Sequence, residues 1–364
     1  MRRIRTEVCV KHLLSLVAAA TVLPWVTSAA DWQIGDLMVV RVGDGTTTLA
    51  NTAGPISVLE VSQAGSLVQT IPVPSVSGGL QVSGTATSEG QLLLNAGGQS
   101  LTLAGYVPPF TGSGSLSGRT STQAPRGYVT VDSHGTVSST TTLSGAYSGQ
   151  NIRSGFTSGS TAWFTGSGTA AGSGLTYYNG SSVSTIQGVN SRVLGYLNGD
   201  LYYSTGSGTV GIYKYSGLPT AATTSTALLT GVSGQGTSPY DFFFAPDGNS
   251  LYVADDTIGV QKFTKSGLTW TLAYNFTDPA TVTGNKAYGL AVDFSGADPI
   301  VYWTTPNDLY KATDAGAAAV GTSILSAGAN YAFRGMEMVP EPSSLALLSI
   351  GAVALLSSRR RSRR

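Results

Sequence analysis

Most of the chemistry this sequence can offer is carboxylate chemistry. It has 19 Asp and Glu residues, two histidines and one cysteine in 364 residues. The cysteine is Cys9, close to the N-terminus. A mature chain lacking that segment has no disulfide and no thiolate. His134 stands in Asp132-Ser133-His134-Gly135, which reads as a solvated hairpin turn. No Gly-x-Ser-x-Gly elbow supplies a nucleophile for it to activate, so a catalytic triad is not expected. One histidine without cysteine also excludes the usual zinc sites. Calcium needs only oxygen ligands. Asp255 and Asp256 follow a strand, Asp241 and Asp247 lie close in sequence, and Asp293 and Asp298 come later. No EF-hand or nonapeptide calcium pattern organises them. Aspartates that cap turns are the default reading, with a structural calcium as the minority one. No cofactor is expected, and the identity of any metal stays open.

Two further residue classes offer binding rather than catalysis. Trp163, Tyr202, Tyr203, Tyr252, Tyr302 and Trp303 sit in strand-like segments. Such rings stack on sugars when exposed and pack between sheets when buried, and packing is the expectation here. Thr46-Thr47-Thr48 and Thr140-Thr141-Thr142 are Thr runs without the fixed repeat spacing of an ice-binding face. The net charge of +1 is misleading. Arg2, Arg3, Arg5 and Lys11 lie at one end, and Arg359, Arg360, Arg361, Arg363 and Arg364 at the other. Residues 31–342 are therefore acidic, at about −7. A body with no basic stripe argues against nucleic acid as a partner.

The elements that must carry these side chains are short strands. Only 11% of residues are charged, 41% are hydrophobic, and 47 are glycine. That composition favours strands and tight turns over long helices. A shared shape recurs: an apolar strand, a Gly turn, then an aromatic-rich strand. It spans Val82–Leu94, Phe156–Phe164, Val193–Tyr203, Tyr240–Ala254 and Tyr288–Trp303. The turn glycines are Gly90, Gly159, Gly199, Gly248 and Gly296, with spacings of 69, 40, 49 and 48. The last three spacings suit a four-stranded propeller blade. Residues 96–127 read as a Gly/Ser/Pro-rich insertion. Second hairpins are expected at Ile56–Ile71, Tyr128–Leu143, Leu175–Ile186, Gly211–Leu229, Gly259–Phe276 and Leu309–Leu325.

That count leaves six second hairpins and five complete first ones. A lone strand, Leu37–Val42, opens the body, and another, Tyr331–Met338, ends it. Together they complete a sixth blade from both ends of the chain, which removes open sheet edges. The expected fold is all-β, a six-bladed propeller with shared terminal closure. Ala245-Pro246-Asp247-Gly248 resembles blades of NHL-like and lactonase-like propellers. That resemblance implies acidic and Asn ligands around a metal in the central channel, for which Asp241, Asp293 and Glu337 are the candidates.

Both ends carry targeting signals. A basic start, an apolar stretch from Leu13 to Leu23 and Ser28-Ala29-Ala30 predict a signal peptide over residues 1–30, cut between Ala30 and Asp31. The partners implied are the Sec translocon and signal peptidase. The exported domain is expected over 31–339 and a sorting signal over 340–364. The latter reads Pro340-Glu341-Pro342, an apolar run from Leu345 to Leu356, then Arg359, Arg360, Arg361, Arg363 and Arg364. The run is short for a membrane span, and the arginines would hold its end on the cytoplasmic face. This order resembles the PEP-CTERM sorting signal, sometimes labelled an ice-binding-protein C-terminal domain. The resemblance implies a short transmembrane helix, cleavage near the motif by a membrane-embedded exosortase, and a body at the cell surface or outside. It also implies a link to exopolysaccharide and biofilm. The functional expectation is a non-enzymatic binding or scaffold protein. The competing reading is a divalent-metal-dependent, lactonase-like hydrolase.

Overall fold

A computed structural model of the chain describes residues 30–277, 286–317 and 319–340. The signal-peptide segment before Ala30 lies outside these residues. So do Glu341, Pro342, the apolar run expected to be a membrane helix, and the terminal arginines. Among the described residues no helix is long and apolar enough to cross a membrane.

The described chain forms six four-stranded antiparallel sheets and one two-stranded ribbon. Blade 1 takes Leu37–Val42, Ile56–Val61 and Leu67–Val73 from the start of the body and Ala332–Met338 from its end. Leu37 pairs with Met338 and Val39 with Met336, so the ends close the ring as the two lone strands predict. Blades 2 to 6 follow in chain order. Their innermost strands are Leu92–Leu94, Ile152–Ser158, Ser191–Leu197, Pro239–Phe244 and Leu290–Asp293. Each of these contacts the next, and Ala332–Met338 contacts both Leu290–Asp293 and Leu92–Leu94. The fold is a six-bladed β-propeller with no open seam.

Burial explains the strand sequences. Inner and middle strands are covered on both faces and read as apolar runs, as in Ile300–Thr304. The outer strand Leu67–Val73 faces solvent on one side and alternates toward its end. The core lies between blades. Val40, Val58 and Ile71 of blade 1 pack with Leu92, Leu103 and Val131 of blade 2. Each such side chain contributes about 1.5–3 kcal/mol by leaving water.

All six second hairpins form as expected. The first hairpin of blade 2 does not. Val82–Ser83 pairs instead with Ala53–Gly54 in the small ribbon. The blade hairpin is Leu92–Leu94 with Ser100–Tyr106, turning at residues 95–99. Gly90 precedes the strand, and its carbonyl accepts the Gly335 N–H at 3.1 Å. The insertion therefore shrinks to 107–125. The Gly-rich spelling of residues 96–106 hides a strand whose fully buried Leu101 and Leu103 join the core.

A bulge recurs on the inner strands. Two residues face one partner between Pro239 and Phe242, and the pairing shifts at matching places in Ile152–Ser158, Ser191–Leu197 and Ala332–Met338. Bulges re-aim side chains. These free Arg153, Arg192, Tyr240, Asp241 and Arg334 from the alternation of an ordinary strand.

Candidate functional site

The inner strands all run the same way, so their C-terminal ends meet at one mouth of the central channel. A cavity of about 310 Å³ opens there. Tyr196 and Tyr202 come from blade 4, and Phe242, Phe243 and Phe244 from blade 5. Leu94 and Asn95 come from blade 2. Two carboxyls, Asp241 and Glu337, line it as well. Pro340 completes the rim.

Asp241 is only 9% exposed. Its Oδ1 accepts the Phe242 N–H at 2.9 Å, and its Oδ2 accepts the Leu290 N–H at 2.9 Å across the seam to blade 6. Burial dominates these two bonds and pushes the carboxyl up to about 8. Glu337 is raised too, first by burial and then by the charge of Asp241, against the pull of the Leu94 N–H. At neutral pH the mouth therefore holds protonated carboxyl, which donates as well as accepts hydrogen bonds. An apolar, aromatic wall with a few such polar groups is the usual form of a small-molecule site.

The opposite end of the channel is closed. Residues 84–90 cross it, and Thr87 Oγ1 meets the Tyr240 hydroxyl of blade 5 at 3.1 Å. Beneath them Glu89 is fully buried and accepts the Ser83 N–H, the Tyr106 hydroxyl and the Asn151 amide. Arg334, 2% exposed, donates to the carbonyls of Phe333 and Gly84. The pocket is thus blind, with one entrance.

The structure sorts the candidate residues of the sequence. It brings Asp241 and Glu337 together but not Asp293, whose Oδ2 accepts Gln63 Nε2 at 3.0 Å and whose Oδ1 caps the Ser295 N–H. Asp255 accepts the N–H groups of Ser238, Thr257 and Ile258, so it caps a turn. Asp247 caps Asn249 in the same way. His134 is exposed on its turn and pairs with Asp31 at 2.5 Å, which raises its pKa. Trp163, Tyr203, Tyr252, Tyr302 and Trp303 are buried and pack, and only Tyr202 reaches the pocket. Sequence reasoning passed over Asn95, Tyr196 and the run Phe242-Phe243-Phe244. The run carries a usable signal: in a strand of period two, three consecutive rings cannot share one face. It also passed over Asp314, which takes the Tyr252 and Tyr274 hydroxyls and Lys262 Nζ and so joins blades 5 and 6.

Asp241, Glu337 and Asn95 bring side-chain oxygens together at the mouth, fewer than the six to eight ligands calcium takes. Each Asp241 oxygen already accepts one backbone N–H, which holds the carboxyl in place at the mouth. Among the described residues no group of three or more His, Cys, Asp or Glu is placed to hold a metal.

The comparisons with known proteins bear on the tail. No curated protein matches the sequence. Among solved structures, a gluconolactonase from Xanthomonas campestris aligns with 83% of this chain and 89% of its own, at 11% identity and a TM-score of 0.43. Residues 339–361 match the PEP-CTERM protein-sorting motif. The chain is thus a six-bladed propeller that carries a PEP-CTERM sorting motif directly after its closing strand.

Proposed function

We infer that this is an exported binding protein, freed from its tail near Pro340-Glu341-Pro342 by an exosortase-type protease. Its ligand sits in the channel mouth. The observation that carries the binding reading is the blind pocket, with aromatic walls and two carboxyls of raised pKa, Asp241 buried and Glu337 half-buried. A protonated Asp241, the Glu337 carboxyl and Asn95 suit a neutral ligand rich in hydroxyls, and the rings suit its apolar face. A sugar unit of an extracellular polysaccharide presents both. The expected partners are signal peptidase, the Sec translocon, the sorting protease and that polysaccharide. Its destination is the cell surface or the medium.

Calorimetric titration of the body, residues 31–342, with neutral oligosaccharides tests this. Phe243→Ala removes a half-buried wall ring and is expected to weaken binding by up to about tenfold, the loss of roughly 0.5–1.5 kcal/mol of stacking. Asp241→Asn should weaken it further. Equal affinity in wild type and both variants would place the ligand elsewhere. A hydrolase reading draws on the same two carboxyls. Release of reducing ends or acid from the titrated sugars, lost in Asp241→Asn, would favour it instead.

A further inference from the structure

The tail leaves the body at the pocket itself. Val339 is buried, its N–H donates to the Asp36 carbonyl at 2.8 Å, and its carbonyl accepts the Gly35 N–H at 3.0 Å. The next residue, Pro340, forms part of the pocket rim. The other end of the mature chain leaves nearby. Gly35 and Asp36 are the residues that hold Val339, and Ala30 is fixed by Gln69, whose Nε2 donates to its carbonyl at 2.8 Å. Both membrane-directed segments therefore depart from the mouth end of the propeller.

The leash is short. Leu345, where the apolar run begins, is five residues beyond Pro340. Fully extended, five residues reach at most about 18 Å. A body of this length is about 50 Å across, from the usual scaling of radius with chain length. Facing the mouth away from the membrane would require a leash as long as the body. Several exposed apolar side chains lie at the same end, while Val76, 70% exposed, lies toward the other. Ile34 stands on the strap beside Val339, Leu67 follows the turn that carries Gln63, and Leu268, 93% exposed, follows the strand whose Lys265 N–H meets the Asn249 carbonyl of a mouth turn.

We propose that the uncut tail holds the channel mouth against the bilayer surface, so that cleavage at the sorting motif opens the pocket to polymeric ligands. The partner of this face before cleavage is lipid, and sorting and activation become one event. The inference rests on the reading of the tail as a membrane-inserted sorting signal. It does not require that the pocket ligand be a sugar.

Single cysteines test it in a chain that begins at Asp31, since Cys9 lies before that point. Ala96→Cys marks the mouth and Thr85→Cys the closed end, and both positions are exposed. The chain from Asp31 to Arg364, the full chain of this test, is bound to phosphatidylethanolamine/phosphatidylglycerol vesicles and treated with a bulky polyethylene-glycol maleimide. A chain ending at Pro342, which keeps every strand of the propeller, is treated in parallel. Ala96→Cys should lose most of its labelling in the vesicle-bound full chain and label freely in the shortened one. Thr85→Cys should label equally in both. Equal labelling of Ala96→Cys in both forms, with the full chain floating with vesicles, would overturn the orientation and leave the sorting reading intact. A full chain that does not float with vesicles would overturn both.

Discussion

At the scale of residues, Asp241 shows what the local sequence conceals. Tyr240 and Asp241 together face one partner residue, and that bulge takes Asp241 out of the strand alternation and into the mouth. Its folded pKa, about 8, lies above its ordinary value of 3.8. The native state therefore keeps a proton that the unfolded chain loses near pH 4. This contribution to stability is fully present below about pH 4 and is lost as pH rises through about 8. The slope is at most about 1.4 kcal/mol per pH unit for one such group. Urea unfolding between pH 4 and 8 should show stability falling as pH rises. Asp241→Asn should flatten that fall, at the cost of about 1 kcal/mol at low pH, because its amide cannot accept both backbone N–H groups. An unchanged slope would mean that Asp241 is ionised at neutral pH. The acidic candidates were visible in the sequence as residues of inner strands. Which of them converge was not, because bulge positions and turn capping decide it: Asp241 and Glu337 turn inward, while Asp293 is drawn to Gln63.

At the scale of elements, the repeat was legible wherever an Asn-Gly, Asp-Gly or similar turn joined two strands of ordinary composition. Blade 2 was misread because Gly90 imitates such a turn. Its positive φ of 76° serves the entry to the strand Leu92–Leu94 rather than a hairpin. The seam between that strand and Ala332–Met338 closes the ring, and Gly335 is its tightest point. A Cβ there would lie 2.6 Å from Gln91 Cα and 2.7 Å from the Leu92 nitrogen, both backbone. Gly335→Ala must therefore part the first and second blades. It is expected to cost about 1–3 kcal/mol, as overpacking does. Gly248→Ala, in a turn with open space and a φ of 70°, should cost about 1–2 kcal/mol for its backbone alone. Thermal unfolding compares the two, and their double variant should be additive because the sites are far apart. A neutral Gly335→Ala would show that the closing seam is looser than this geometry allows.

At the scale of the whole molecule, the sequence revealed both the architecture and the address. Six second hairpins with five complete first ones leave two lone strands, and only a ring that closes on itself pairs them. The order of Pro-Glu-Pro, an apolar run and arginines is specific because its three parts follow one another directly, and residues 339–361 match the sorting motif. The meeting of the two signals was not legible. Nothing in the spelling of residues 339–340 tells that the motif starts on the rim of the channel mouth, one residue after a buried, doubly hydrogen-bonded strand end. An exported body that is cut at that rim is the central claim. The most direct test is the intact mass of the protein recovered from its own cells, fraction by fraction. The account predicts a chain that begins at Asp31 and ends close to Pro342, found at the cell surface or in the medium. A chain that still ends at Arg364, held in the inner membrane, would contradict it.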